Sequence, residues 1–325
     1  MEIMKINDSP IATVDQVEEE TSSEHFITAN TKRISYKELR NKCVIPVFAK
    51  DNESTISHPE FISSVQSVVR EAYSGERVLE PCIRVSHPIK GRVPEAMGKA
   101  ANQLTEHEKT VYYDRMGFFI DIPDIKESIN ENSLSLTVGG VRAYNLENLY
   151  SRKMEERFKV FVGFKNHVCC NLCIWTDGYS ADIRARSLSE LMERIYQMIT
   201  GFNADRQLGM LRTLSGYSIS ESEFAKMIGR ARMYNYLPAK AKKDIPSIQL
   251  GDAQVNAVVK DYYQDDSFCR DENGNINLWN LYNLFTSAIK SSYLDTFLDR
   301  NVGSTNFISS MAESIQNKSE FWYLS

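Results

Sequence analysis

The order in which two textures appear along the chain constrains the fold more than any single motif does. Six segments rich in β-branched and aromatic residues come first, at 78–89, 116–122, 134–138, 158–164, 168–175 and 181–186. Turn chemistry such as Gly139-Gly140, Lys165-Asn166 and Asp177-Gly178 separates them. The last three predict a meander in which Lys165-Asn166 and Asp177-Gly178 close antiparallel hairpins. From Ser187 onward apolar residues recur at helical spacing instead. Ser187 with Glu190, and Ser220 with Glu223, are capping-box pairs that open helices running to about Thr200 and over 224–234. The same period fits 253–263, 278–290, 293–298 and 307–315. Strands gathered before helices predict an α+β fold, an antiparallel sheet in the N-terminal and central part packed with a helical C-terminal part, rather than a doubly wound parallel sheet.

Two helices are expected ahead of the strands. Ser35 and Glu38 cap a short one, followed by a β-rich run at 44–48. Phe61, Ile62, Val65, Val68, Val69 and Ala72 form one face of another over about 57–74, with Pro59 near its start and Gly75 beyond its end. The organisation is therefore a tail at 1–30, a mainly β region at 31–186 and a mainly helical region at 187–325 packed on the same core. A chain of 325 residues hides about three quarters of its unfolded surface, so the six cysteines are not needed as staples and are expected as thiols. No basic and apolar leader opens the sequence, and no run of about 18 apolar residues occurs. A cytoplasmic protein without a membrane partner is expected.

Charge is unevenly spread. Residues 1–30 hold Glu2, Asp8, Asp15, Glu18, Glu19, Glu20 and Glu24 against Lys5, net -6, which is the composition of a flexible acidic tail. The whole chain is -5, so residues 31–325 carry +1. Within them, Arg206, Arg212, Lys226, Arg230, Arg232, Lys240, Lys242 and Lys243 face only Glu221 and Glu223 over 206–243, net +6. There Arg230, Arg232, Tyr234, Tyr236 and Lys240 interleave cations with rings, the pairing by which a single-strand surface neutralises phosphates and stacks bases. A second basic stretch, Arg84, Lys90, Arg92 and Lys99 with His87, has glycine and proline around it and suits an anion or a phosphate backbone. Its plainer reading is a solvated turn; that of 206–243 is an exposed helix face.

Other motifs fall short of chemistry. His167-Val-Cys169-Cys170-Asn-Leu-Cys173 has no second knuckle, so zinc lacks its ligands and a buried strand is the better reading. His107-Glu108 begins like a zinc-protease helix, but Val111 stands where the second histidine belongs. Gly91 and Gly98 are too far apart for a phosphate loop, and Ala100 lacks a hydroxyl. Asp271-Glu-Asn-Gly274-Asn275 is out of register for a calcium loop and reads as a tight turn. Trp279, Tyr282 and Phe285 form the core seam of a helical layer. Around them Asn283, Lys290, Asp295, Asp299 and Arg300 either build a polar site or cap and pair. No metal and no cofactor is expected.

Several strings resemble a bacterial family catalogued as a domain of unknown function, number 3871. They are Cys82-Ile-Arg84-Val-Ser-His87-Pro-Ile-Lys90-Gly-Arg92, Glu106-His-Glu-Lys-Thr-Val-Tyr-Tyr113, Gly139-Gly-Val-Arg142-Ala-Tyr144-Asn-Leu-Glu-Asn-Leu-Tyr150, Val162-Gly-Phe-Lys-Asn166, Asn171-Leu-Cys-Ile-Trp-Thr-Asp-Gly178 and the 279–300 stretch. The likeness covers about 30–315 and brings no catalytic residues with it. The Asn277-Leu-Trp279-Asn-Leu-Tyr282-Asn283 pattern with Thr286 also looks like a phage- and plasmid-associated domain of unknown function, number 932. Together the resemblances imply a mobile-element protein of bacteria.

The leading expectation is a non-enzymatic, nucleic-acid-associated protein aiding recombination, annealing or replication. Arg84, Lys90, Arg92, Lys99, Arg212, Arg230, Arg232, Tyr234, Tyr236, Lys240, Lys242 and Lys243 are the candidate contacts. The alternatives are an enzyme with a polar pocket drawn from His87, His107, Tyr113 and Asp114, or a module that binds a host protein.

Overall fold

A computed structural model of the chain describes residues 26–42, 55–146, 155–168, 171–174 and 180–325. Residues 1–25 of the expected tail, the run at 44–48, Cys169, Cys170 and Asp177-Gly178 lie outside the described residues. In chain order, β1 (Lys32–Ile34), α1 (Tyr36–Lys42) and α2 (His58–Ala72) precede β2 (Cys82–Val85), β3 (Pro88–Arg92) and β4 (Lys109–Tyr113). The long strands β5 (Arg115–Ile129), β6 (Asn132–Ala143) and β7 (Glu156–Asn166) come next, with β8 (Leu172–Ile174) and β9 (Ser180–Ala185) after them. The helical part comprises α3 (Leu188–Thr200), α4 (Ala204–Ser215), α5 (Glu221–Tyr234), α6 (Ala239–Lys242), α7 (Asp252–Gln264), α8 (Leu278–Ile289) and α9 (Leu294–Asn317), with the short strands β10 (Ser218–Ile219) and β11 (Ile276–Asn277) paired between them. The fold is α+β, as the order of textures predicts.

The main sheet runs β1-β2-β5-β6-β7, and both β8 and β9 then pair with β7, every pairing antiparallel. The expected meander of the last three strands is thus corrected. β8 takes the C-terminal end of β7 and β9 its N-terminal end. Lys165 and Asn166 are not the turn either: they are paired in β7, and Asn166 N donates to Asn171 O at 2.9 Å just ahead of β8. The segment expected as one strand at 78–89 divides into β2 and β3, the latter forming a separate two-stranded ribbon with β4.

Gly139-Gly140 is not a turn but the middle of β6. The sheet is covered on both faces, so rings press into it from both sides. A Cβ on Gly139 would lie 2.6 Å from the Phe161 ring, and one on Gly140 2.6 Å from the Phe61 ring. Phe61 of α2 packs over Phe118 and Phe158 at 5.4 and 4.9 Å, and Phe118, Ile120, Val138 and Val162 share that core with α3. The other face buries Phe119, Val141 and Phe161 under Leu294, Phe297 and Leu298 of α9, joined by Phe26 and Ile27. Those last two residues, assigned to the tail by composition, are buried core. The β5–β6 pairing slips between Ile122 and Lys126, where Pro123 has no amide to give the ladder.

Capping explains where the helices begin. Ser57 and Glu60 form a full capping box on α2, as do Ser220 and Glu223 on α5, while Ser187 accepts from Glu190 N on α3. Gly75, just past α2, holds φ +106°, a value glycine tolerates best. Two departures appear. α4 fills a stretch that charge alone had marked: Asn203 caps it, Leu208, Leu211 and Leu214 face the core, and Gln207 donates to the Cys173 carbonyl at 2.9 Å. The two short helices expected at 293–298 and 307–315 are one. Gly303, Ser304 and Thr305 continue it because small residues are needed there: a Cβ on Gly303 would lie 2.9 Å from Gln249, and Thr305 bonds the Tyr282 hydroxyl at 3.0 Å.

The Trp279–Asn283 pattern is a clamp. Asn283 Oδ1 accepts from Asn166 Nδ2 at 3.0 Å and its carbonyl from Asn171 Nδ2 at 2.9 Å, while Trp279 Nε1 donates to Asn132 Oδ1 at 3.2 Å. Buried amides thereby fasten α8 to two reversals of the sheet. Asp271 accepts from Asn273 N and Asn275 N, with Gly274 at φ +82°, which makes that segment the tight turn expected of it. Among the described residues, no helix is long and apolar enough to cross a membrane.

Candidate nucleic-acid interface

The basic segment folds as α5, a short turn and α6. Phe224, Met227 and Ala231 lie on the buried side of α5, and the Phe224 ring stacks on Tyr262 at 4.0 Å. That burial turns Lys226, Arg232 and Met233 outward. Tyr236 N donates to Met233 O and Pro238 caps α6, so the chain reverses tightly and lifts the Tyr236 ring away from the protein. Tyr236 is 90% exposed and Met233 61%. Among the described residues, no ion pair holds Lys226, Arg232, Lys240 or Lys243, and Arg232 donates to the neutral Asn256 amide.

Its neighbours are built into the protein. Tyr234 is half-buried, stacked 6.5 Å from Tyr323, with Lys242 Nζ 5.2 Å over its ring and donating to Asn235 O at 3.0 Å. Arg230 lies 4.9 Å over the Trp322 ring and donates to its carbonyl. Burial pushes the Tyr323 phenol upward, and it donates to Pro246 O at 2.7 Å. Arg212 sits on α4, tied to Glu127 at 3.0 Å.

The second basic stretch is more fully engaged. Arg84 is 7% exposed, its guanidinium on Thr31 Oγ1 at 2.9 Å and Thr31 O at 3.2 Å. Arg92 donates to Lys99 O, and Lys99 pairs with Glu108. That hydrogen bond and the one from Thr105 N hold the Glu108 carboxyl down at about 2. The His107-Glu108 pair is therefore a capped turn. Lys90 is exposed on β3, lining an open cavity of about 710 Å³ with Arg92 and Lys109.

Of His87, His107, Tyr113 and Asp114, His107 stands apart: Pro88 pairs with Tyr113, so His87 lies across from Asp114 at one end of the ribbon, and no hydrogen bond joins their side chains among the described residues. His107 sits near the Arg92–Lys109 end of the β3–β4 ribbon and Tyr113 at the other. The Tyr113 carbonyl accepts from His58 Nε2 at 2.8 Å. His87 lines a small cavity of about 80 Å³ with Arg115 and Tyr293. Burial raises the Asp114 carboxyl, opposed by Arg115.

Two features escaped the sequence. A cleft of about 560 Å³ lies beside Tyr234 and Asn235, lined by Leu250 and by Thr296, Asp299 and Arg300 of α9. Thr296 and Asp299 also line a second cleft of about 280 Å³, which holds Arg157–Asp182 and Lys159–Asp299 pairs at 2.7 Å. The signal was the two-residue spacing of Arg157 and Lys159, which puts both on one face of a strand. The other feature is a sealed centre beneath α2. Arg142 pairs with Glu156 and donates to Ile56 O, lying 4.7 Å from the Tyr144 ring and 4.5 Å from Phe158. His58 stacks on Tyr144 at 4.4 Å, and burial with the Arg142 charge lowers its pKa to about 3.

Among known proteins, a family model described as "Domain of unknown function, B. Theta Gene description (DUF3871)" matches residues 9–324. No curated protein and no solved structure matches the chain.

Proposed function

The chain belongs to the DUF3871 family, and from that premise we propose that it binds single-stranded nucleic acid through the α5–α6 lobe, as a non-enzymatic accessory of strand annealing, recombination or replication in a mobile element. The observation that carries this reading is the Tyr236 ring, 90% exposed among cations that no carboxylate of the described residues neutralises. A solvated ring on a positive lobe offers a face to an unstacked base while Arg232, Lys240 and Lys243 meet the phosphates. Duplex bases are already stacked and cannot use the ring. Lys90 on the β3–β4 ribbon is a secondary contact.

Fluorescence anisotropy with labelled single- and double-stranded DNA and RNA across a salt series tests it. Single strands are expected to bind more tightly than duplexes, with log affinity falling linearly against log salt. Binding that ignores salt, or that favours duplexes, would overturn the reading.

A further inference from the structure

We infer that the cavity between the β3–β4 ribbon and the segment 93–108 joining its strands binds a phosphate monoester carried on a flat or apolar body. A nucleoside monophosphate is the simplest such ligand, either free or as the 5′ end of a strand. The cavity is built from other elements than the α5–α6 lobe, so it stands or falls apart from the single-strand reading.

The register of the ribbon sets the charge. Lys90 pairs with Val111, and Arg92 with Lys109. Partners directly opposite on antiparallel strands point to one face, and so do residues two apart along a strand. Lys90, Arg92 and Lys109 therefore share a face of a two-stranded ribbon, and all three line the cavity together with Glu106. Arg92 and Lys109 form a like-charged cross-strand pair, an arrangement that is destabilising by itself and that an anion between the two relieves. Same-face neighbours lie roughly 7 Å apart along a strand and about 5 Å apart across it, so three long side chains reach one compact anion.

Their present partners leave that charge to spare. Arg92 donates to the neutral Lys99 carbonyl, Lys109 pairs with a Glu106 side chain that is 84% exposed, and Lys90 has no ion pair among the described residues. An exposed ion pair is weak and yields to a doubly charged competitor. The walls, by contrast, are already fixed. Val93 N donates to Glu108 O at 3.0 Å, Thr105 N donates to the Glu108 carboxylate at 2.9 Å, and Lys99 pairs with that carboxylate. A ligand entering here does not have to order the segment first.

Size and lining select the class. The cavity of about 710 Å³ is in the range of small-molecule sites and is far more than a bare phosphate fills. Leu104 and Val111 line it beside the cations and offer an apolar surface to the rest of the ligand. Three cations against one carboxylate leave net +2. That matches a phosphate monoester, which carries nearly two negative charges at pH 7, better than the single charge of a phosphodiester within a strand.

Calorimetric titration of the full-length chain at low salt with adenosine 5′-monophosphate, adenosine and inorganic phosphate tests the class. The monophosphate is expected to bind about tenfold or more tightly than either of the others. Hydrogen exchange read by mass spectrometry locates the site: the monophosphate should slow exchange at 90–92 and 101–111 and leave 224–243 as it was. Lys90→Gln, at an exposed position with no ion pair to lose, should weaken the monophosphate about threefold or more. Absence of monophosphate binding, equal binding of adenosine or of phosphate alone, protection only outside 90–111, or an unchanged affinity in Lys90→Gln overturns the site. Oligonucleotides ending in a 5′-phosphate or a 5′-hydroxyl then separate the two sources. A preference for the phosphorylated end that the monophosphate competes away assigns the cavity to strand ends, whereas equal affinity for the two oligonucleotides alongside monophosphate binding assigns it to free nucleotides. Loss of all single-strand binding with the monophosphate still bound defeats the lobe and leaves this site standing.

Discussion

Arg142 and Arg232 carry the same guanidinium into opposite surroundings. Arg142, 1% exposed, is enclosed by Glu156, Ile56 O and two rings, whereas Arg232 extends from α5 to a neutral amide in solvent. Lys165 and Lys240 repeat the contrast: the first is buried against Asp121 with Thr137 donating to the same carboxylate at 2.7 Å, the second is exposed. The protein uses its interior cations to hold α2 and the sheet together, whereas Lys226, Arg232, Lys240 and Lys243 of the lobe have no carboxylate partner among the described residues. A charge already paired in the dry interior is structure. A charge left without a carboxylate beside a bare ring is available for a ligand.

Breaking the sealed centre should have the largest effect. Arg142→Met leaves the Glu156 carboxylate buried without its guanidinium, bonded by Ile56 N at 3.2 Å, and should cost about 3–5 kcal/mol in urea denaturation. A loss under about 1 kcal/mol would mean that water reaches the pair, and the contrast with Arg232 would collapse.

His58 sharpens the same side through pH. Its Nε2 donates to the Tyr113 carbonyl, so the buried ring is neutral with its other nitrogen bare. The folded pKa of about 3 lies below the unfolded 6.5. The unfolded state therefore takes up the proton first, and stability is lost as pH falls below about 6.5, by about 2 kcal/mol between pH 7 and pH 5. His58→Gln keeps an amide donor for Tyr113 and removes the titration. The drop between the two pH values, read from denaturation midpoints, should shrink by that amount in the variant. An equal drop in both proteins would place the titrating group elsewhere.

The same contrast shows what local sequence can carry. The apolar face of α2 and its Ser57–Glu60 box are legible because burial and capping act over a few residues. Gly139-Gly140 is misread because two adjacent glycines look the same whether they serve a turn or admit Phe61 and Phe161 from opposite faces, and only the tertiary packing tells which. Arg142 and Glu156 gave no local sign of each other, being joined across the β6–β7 layer. On the lobe, the alternation of rings and cations is visible, but not which ring is free. Tyr234 and Arg230 are claimed by Tyr323 and Trp322, which return from about ninety residues away; Tyr236 is not.

That difference between two tyrosines two residues apart gives the prediction with the smallest effect on stability. Tyr236→Ala removes a ring that stands in solvent, so its denaturation midpoint should move by less than about 0.5 kcal/mol. Its single-strand affinity should fall by about 1–3 kcal/mol if one base stacks there. Lys240→Gln with Lys243→Gln should likewise spare stability and flatten the salt slope by roughly 0.7 for each phosphate no longer neutralised. Tyr234→Ala behaves differently, because it empties a site packed against Tyr323 and strips Lys242 of its partner ring; it should unfold earlier and bind more weakly as a consequence. Anisotropy and denaturation on the same preparations separate the two behaviours. If Tyr236→Ala binds as the parent does while Tyr234→Ala weakens binding without destabilising, the half-buried ring is the stacking surface and the assignment of roles between them reverses.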